Sequence, residues 1–258
     1  MLAEGEVTRF IALFHSTLPE RIGPIRSARP YFIDLANGYD ALFVTHGWSP
    51  EAEQMLTEGQ ADYLNGLYYD GTLFERSTER EAPHNSYITF EHIFSGLEEQ
   101  GYNVTGQVDP LEFYQDDDFR IEGEAGKEVM INYHSLNQVR YEYEESSAVY
   151  HRYNGEEQSV DHDSGSPVEL SNVVVIEAKH DVIDNSGRRK VDLESGGKAL
   201  LLQNGIASEV QWQNQNGRLV PVEDGKVVPL NKGRTWINII PESPGIDGSV
   251  SWVNHKEG

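Results

Sequence analysis

Apolar and polar residues alternate differently in the two halves of the chain. In the first half, apolar runs at residues 7–14 and 41–45 predict strands, and a segment at 22–26 is expected to return antiparallel beside the first run. Other segments of this half begin with capping residues or prolines and end with glycines. These signals predict helices over residues 30–37, 50–58 and 89–100.

The second half of the chain is a succession of short predicted strands. Their apolar and aromatic runs cover residues 130–133, 138–143, 148–153, 173–178, 199–203, 209–213 and 235–240. The dipeptides Asn204-Gly205, Asn216-Gly217 and Asp224-Gly225 supply tight turns between them. We therefore predict an α+β protein, with a mixed α/β domain over residues 1–122 and a mostly antiparallel, β-rich domain over residues 123–258.

Composition narrows the class of partner. The 258 residues include 20 lysines and arginines against 43 aspartates and glutamates, which gives a formal net charge of −23. Such a surface repels nucleic acid and anionic bilayers, so we expect it to bind neither directly. Solubility or adaptation to salt is the simplest interpretation of the charge. The chain has no cysteine, which excludes disulfides, thiol nucleophiles and thiolate-bound metals.

The basic residues are distributed unevenly. The first lysine is Lys127, so every basic residue before it, histidine aside, is an arginine. Arginine binds carboxylates and phosphates with a planar, bidentate geometry that lysine lacks. This pattern is explained equally well by an anion-binding site and by internal ion pairs with the surplus carboxylates.

The predicted topology indicates where the arginines meet. If the first two predicted strands form a hairpin, Arg9 lies across from Arg26. A right-handed crossover through the first helix then makes the third strand, which ends at His46, parallel to the Arg26 segment. Ligands of open α/β sheets bind beyond the carboxyl ends of strands, close to helix N-termini. We therefore expect Arg9, Arg26, Arg29 and His46 to converge on one anion-binding crevice.

Three further residues are weaker candidates for the same crevice. Arg76, His84 and Asn85 precede the third predicted helix, although a His-Asn pair in a loop is more typical of turn chemistry. Arg9 has a structural alternative, which is an ion pair with a buried acid such as Asp34 or Asp40.

Signals for metal and catalytic chemistry are weak. The acidic runs at residues 116–118 and 161–163 contain oxygen ligands but lack calcium-loop spacing, so we interpret them as solvated loops. The sequence contains no HExxH, GxSxG, Walker A or GxGxxG motif. We therefore expect no metal and no cofactor at the site.

Several segments resemble the YerB-like family of bacterial lipoproteins. Residues 2–5, 8–10, 22–31 (IGPIRSARPY) and 82–85 (APHN) resemble its N-terminal domain, and residues 171–175, 197–199 and 230–236 resemble its C-terminal domain. The activity of this family is unknown. Its members carry a lipoprotein signal and a lipidated cysteine ahead of the LAEG segment. The resemblance implies that Met1 lies inside a longer protein, which a lipid tethers to the outer face of the bacterial cytoplasmic membrane.

A second resemblance concerns the strand followed by an IRSAR segment that opens a helix. This arrangement is similar to the LytR-CpsA-Psr enzymes, which transfer glycopolymers from polyprenyl pyrophosphate carriers to peptidoglycan with the help of magnesium. The resemblance implies these roles: Arg26 and Arg29 on a pyrophosphate, Arg9 on developing charge, and Asp34 or His84 as base. Thr8 stands where an acid is expected, which disfavours metal-assisted transfer.

Three functional hypotheses follow. The first is an extracytoplasmic, non-enzymatic lipoprotein whose arginine crevice binds an anionic small molecule, a lipid-linked phosphate or an acidic segment of an envelope protein. The second is phosphotransfer to or from a lipid-linked glycopolymer, the one reading that uses magnesium. The third is an adaptor that binds a protein partner through a strand edge of the β-rich half.

Overall fold

The computed structural model describes residues 1–4, 7–103, 108–115, 121–134 and 137–252. Its helices are α1 (Pro30–Asn37), α2 (Pro50–Thr57), α3 (Gly66–Tyr69), α4 (Phe90–Gln100) and α5 (Gly245–Ser249). Helices account for 15% of the chain and strands for 43%, with the strands concentrated in the C-terminal region. The predicted α+β class is therefore confirmed.

The strands run throughout the described residues. They are β1 (Leu2–Glu4), β2 (Val7–Arg9), β3 (Arg21–Ile22), β4 (Phe43–Thr45), β5 (Tyr63–Asn65), β6 (Phe74–Arg76), β7 (Ser86–Thr89), β8 (Glu124–Ala125), β9 (Glu128–His134), β10 (Asn137–Glu144), β11 (Val149–Asn154), β12 (Glu157–Gln158), β13 (Glu169–Leu170), β14 (Asn172–Ala178), β15 (His180–Val182), β16 (Arg189–Val191), β17 (Gly197–Gln203), β18 (Ile206–Gln215), β19 (Arg218–Glu223), β20 (Lys226–Val227), β21 (Thr235–Pro241) and β22 (Val250–Trp252).

Two compact units divide the chain. The β-rich unit contains residues 1–10, 110–215 and 219–258, and the mixed unit contains residues 11–109 and 216–218. The first ten residues belong with the β-rich unit because β1 pairs in parallel with β21.

Two large sheets and the two-stranded sheet β15-β16 build the β-rich unit. The larger has the strand order β2-β1-β21-β14-β17-β18-β19-β20, with β8 beside β18, and the smaller has the order β12-β11-β10-β9-β22, with β13 beside β11. Buried residues from both sheets form one core, with Tyr141 and Tyr150 from the smaller sheet against Val175 and Leu200 from the larger. Most pairings are antiparallel, as predicted, but β14 and β21 run parallel.

The hairpin predicted at the start of the chain is wrong. The strand expected over residues 7–14 forms only as β2, which pairs antiparallel with β1 so that Arg9 lies opposite Leu2. Leu2 is fully buried, and pairing β2 with β1, which is near in the chain, costs less loop-closure entropy than pairing it with residues 22–26. Arg9 therefore does not lie across from Arg26.

The mixed unit combines two small sheets with helices. Strands β4 and β5 pair in parallel, and β3, β7 and β6 form an antiparallel sheet in that order. Leu64, Phe74, Ile88 and Ile93 pack into its core. Within the described residues, no helix is both long and apolar enough to cross a membrane.

Local sequence signals explain the helices of the mixed unit. Ser49 caps α2, since its Oγ accepts a hydrogen bond of 3.4 Å from the Ala52 N–H. Thr89 caps α4 in the same way through the His92 N–H at 3.2 Å. Gly101 ends α4 with a φ of 68°, a left-handed conformation that glycine adopts without strain. The predicted helices at residues 30–37, 50–58 and 89–100 are thus confirmed.

The segment around Arg26 lies where the crossover argument placed it. The His46 N–H donates to the Arg26 carbonyl at 3.2 Å, and the Ala28 N–H donates to the Gly47 carbonyl at 2.9 Å. Ala28 and Trp48 form a parallel bridge. The end of β4 therefore runs parallel to the arginine segment, with α1 as the connection.

Candidate functional site

A polar cluster surrounds His46 at the end of β4. We call His46, Asp70, Arg76, Asn85 and Ser86 the His46 cluster. The Arg76 guanidinium lies at its centre and donates to both Asp70 carboxylate oxygens, at 2.9 to 3.1 Å. It also donates to Asn85 Oδ1 at 3.2 Å and to His46 Nε2 at 2.8 Å. These hydrogen bonds join β6, β7 and the segments that follow β4 and α3.

Charge and burial shift the pKa values of two groups in this cluster. The hydrogen bonds from Arg76 hold the pKa of Asp70 below its ordinary value, although partial burial of the carboxylate acts to raise it. Burial lowers the pKa of His46, the Arg76 charge lowers it further, and Asp70 partly opposes them. His46 is therefore neutral at pH 7, while Asp70 is ionised.

The contacts of His46 fix its tautomer. A guanidinium can only donate, so His46 Nε2 must accept from Arg76 and the ring proton must be on Nδ1. His46 Nδ1 lies 2.7 Å from Ser86 Oγ and donates to it. Because the imidazole presents a proton rather than a lone pair to Ser86, it cannot act as a base for that hydroxyl. Ser86 is also 1% exposed. This pair holds the ring in place and is not a nucleophile and base.

Gly66 makes room for the imidazole. A Cβ on this residue would lie 2.6 Å from His46 Cγ, which is closer than real contacts allow. The backbone of α3 thus packs directly on the ring. Asn65 organises the same place, since its Oδ1 accepts from the Gly47 N–H at 2.9 Å and the Leu67 N–H at 3.0 Å. The Asn65 Nδ2 group is buried without a hydrogen-bond partner.

Arg26 binds the other end of the segment that carries Asn85 and Ser86. Its Nη1 donates to the Pro83 carbonyl at 3.0 Å and lies 2.7 Å from His84 Nδ1. As at His46, the imidazole nitrogen must accept from the guanidinium. Arg26 therefore holds residues 83 and 84, and Arg76 holds the next residue, Asn85; these contacts are exposed.

Two predicted site arginines have other roles. Arg9 lies in the β-rich unit, where its Nε donates to Glu4 Oε2 at 2.6 Å. The structural alternative for Arg9 is therefore correct in kind, although the acid is Glu4 and not Asp34 or Asp40. Arg29 is buried, and its Nη1 donates to the Ala28 carbonyl at 3.0 Å.

Sequence reasoning missed part of the cluster. Asp70, Ser86 and Gly66 have no motif around them, and their contacts join residues from 6 to 40 positions apart in the chain, as the Asp70–Arg76 and His46–Ser86 pairs show. Arg76, His84 and Asn85 were weaker predictions than Arg9 and Arg29, yet they are the residues beside Arg26 and His46. A polar residue following each of several neighbouring strands is the signal that could have found them.

The acidic loops have no cation site within the described residues. No group of three or more histidine, aspartate or glutamate side chains there is placed to hold a metal ion. Asp161 instead accepts hydrogen bonds from the Ser164 N–H and Oγ, at 2.8 and 2.7 Å, as a turn residue does. The run at residues 116–118 lies outside the described residues.

Comparison with known proteins defines the class. Residues 1–103 match the model for the N-terminal domain of a family described as "Protein of unknown function (DUF3048)", and residues 129–237 match the model for its C-terminal domain. The chain belongs to this family of two-domain proteins, of which YerB is a member.

The individual relatives agree with this assignment. The chain is 46% identical over 244 residues to "Putative lipoprotein YerB" of Bacillus subtilis (strain 168), which covers 93% of this chain and 73% of the relative. It also matches the crystal structure of the YerB protein from Bacillus subtilis, with a TM-score of 0.89 and 43% identity over 97% of this chain and 83% of the other. The resemblance to the YerB-like family is thus confirmed.

Proposed function

We propose that the chain is an extracytoplasmic binding protein whose His46 cluster, together with Arg26, receives an anionic ligand. One observation carries the proposal: two arginines from different parts of the chain bind neighbouring residues of one segment, Arg26 at Pro83 and His84 and Arg76 at Asn85. An anion with several oxygens can accept hydrogen bonds from both guanidiniums there. The relative's printed name supports a lipid-anchored location outside the cytoplasmic membrane.

The existing ion pair does not block an incoming anion. The Arg76 and Asp70 side chains are 39% and 43% exposed. An ion pair with that exposure contributes about 0–1 kcal/mol, so a ligand oxygen can replace an Asp70 oxygen at little cost. A charge-assisted hydrogen bond to the ligand contributes about 1.5–3 kcal/mol before solvent screening.

The net charge of −23 is compatible with anion binding. At physiological salt the Debye length is about 8 Å, so carboxylates far from the cluster have little effect on its potential. His46 and His84 act here as hydrogen-bond acceptors that orient the guanidiniums. Arginines oriented by imidazole acceptors favour binding over catalysis.

Calorimetric titration tests the proposal. Pyrophosphate and a short-chain polyprenyl phosphate are titrated into the wild type and into Arg26→Ala and Arg76→Ala variants, with and without magnesium. Arg188→Ala is the matched control, because Arg188 forms a similarly exposed ion pair with Asp184 in the β-rich unit. We expect binding by the wild type and the control, and a loss of about tenfold or more in each test variant.

The result that would overturn the proposal is the absence of wild-type binding, or binding that all three variants retain. Turnover of a lipid-linked donor in the presence of magnesium would favour the phosphotransfer hypothesis. Arg9 and Arg29, which that hypothesis uses, already bind Glu4 and the Ala28 carbonyl.

A further inference from the structure

Three neighbouring aromatic rings, of which Tyr68 is exposed, lie close in the chain to residues of the His46 cluster. The Trp48 ring packs edge-on against Tyr68, with ring centroids 5.7 Å apart, and against Tyr63, at 6.1 Å. We call these three residues the aromatic platform. Tyr68 is 61% exposed, which is high for a ring held in place by another ring. An exposed ring that packs on half-buried rings is typical of surfaces that bind the flat face of a ligand.

The chain ties the aromatic platform to the His46 cluster at two points. Trp48 follows His46 by two residues, and Tyr68 precedes Asp70 by two residues in the segment formed by α3 and its end. The start of α3 packs on the His46 ring at Gly66, and its end supplies the Asp70 oxygens to Arg76. The Tyr68 ring and, through Asp70, the Arg76 guanidinium are therefore held by the same short segment.

We propose that the ligand is an anionic saccharide, whose sugar ring packs on Trp48 and Tyr68 and whose phosphate or carboxylate is bound by Arg76 and Arg26. This inference rests on the proposed function and adds the class of ligand to it. The sugar ring buries an apolar C–H face against the aromatic platform. The anionic group takes the donors of the two arginines.

The carboxylate of Asp70 favours a saccharide over a simple anion. Asp70 is ionised and can only accept hydrogen bonds, and each of its oxygens has capacity beyond the contacts with Arg76. A phosphate or pyrophosphate alone offers it few protons, whereas sugar hydroxyls donate. Asn85 adds an amide that can both donate and accept. A site with an aromatic face, guanidiniums and carboxylate oxygens thus matches a ring that bears hydroxyls and one charge.

The test compares ligands that differ in one feature. Glucose 1-phosphate, glucuronate, glucose, inorganic phosphate and adenosine monophosphate are titrated calorimetrically into the wild type, Tyr68→Ala, Trp48→Ala and Arg76→Ala. Phe94→Ala is the control, because Phe94 is a 55% exposed ring of the same unit that packs on Phe90 and not on Trp48. The circular dichroism spectrum and thermal midpoint of each variant establish that it is folded.

We expect glucose 1-phosphate to bind at least about tenfold more tightly than inorganic phosphate. Tyr68→Ala should remove most of that advantage and leave phosphate binding unchanged, while Arg76→Ala should weaken both. The inference is overturned if phosphate binding depends on Arg76 but the sugar adds no affinity, an outcome that leaves the proposed function standing. Tighter binding of adenosine monophosphate than of glucose 1-phosphate, with the same dependence on Tyr68, also overturns it in favour of a nucleotide. Failure of every anion to bind contradicts both proposals.

Discussion

Replacing Gly66 with alanine should displace His46 and destabilise the mixed unit. A Cβ at this position would lie 2.6 Å from His46 Cγ, so the ring must move. Moving it breaks the hydrogen bonds to Ser86 Oγ and from Arg76, at 2.7 and 2.8 Å. It also leaves the buried Ser86 hydroxyl without its donor.

The magnitude follows from these contacts. The bond to Ser86 contributes about 1 kcal/mol and the charge-assisted bond from Arg76 about 1.5–3 kcal/mol, taken at the low end because Arg76 is partly exposed. Against this, alanine is the better helix former by up to about 1 kcal/mol. We expect Gly66→Ala to lower the free energy of unfolding by about 2 kcal/mol.

A double-mutant cycle isolates the cause. In a His46→Ala background the ring is absent, so the same Gly66→Ala change should be neutral or slightly stabilising. Urea unfolding of the four proteins, followed by circular dichroism, gives the four free energies. An equal cost of Gly66→Ala in both backgrounds would refute the claim that α3 packs on the imidazole.

Three further predictions concern the same unit. Asp70→Asn removes the carboxylate that competes with the ligand for Arg76. The affinity for pyrophosphate, measured by calorimetry, should therefore rise about threefold or more, while the free energy of unfolding changes by less than about 1 kcal/mol. Weaker binding of pyrophosphate would contradict this prediction. The pKa of His46 is lowered on folding, so the unfolded chain binds more protons just below the ordinary value of about 6.5. The stability contributed by neutral His46 is therefore complete above that pH and lost as the pH falls below it. Urea unfolding at a series of pH values should show a smaller fall in the free energy of unfolding below that pH for His46→Gln than for the wild type. Thr89→Ala removes the cap of α4 and should cost about 1 kcal/mol in the same assay, with a cost near zero as the contrary result.

Local signals account for the parts of the fold that the sequence predicts well. Pro30, Ser49, Thr89 and Gly101 define helix ends through contacts within a few residues, and the positive φ values of Asn204-Gly205 show the same for a turn. Strand pairing depends on distant partners, which is why the pairing of β2 with β1 and the parallel pairing of β14 with β21 were not foreseen.

The candidate site shows the same division. Chain connectivity and crossover handedness were sufficient to place the Arg26 segment beside His46. They could not choose among the arginines, because the partner of each depends on packing: Glu4 and Arg9 form their ion pair where β1 and β2 pair. Asp70 and the aromatic platform were missed, since neither carries a motif and both acquire their role from the short helix α3.

The most direct test of the account is to locate an anion by histidine NMR. Ring signals of the nine histidines are recorded at pH 7 with and without saturating pyrophosphate, and are assigned by single substitutions. The account predicts that His46 and His84, which accept hydrogen bonds from Arg76 and Arg26, shift on binding, and that the bound anion raises the pKa of His46. His180, in the β-rich unit, should not move. Shifts confined to histidines of the β-rich unit, or no shifts at all, would contradict the assignment of the anion site to these arginines.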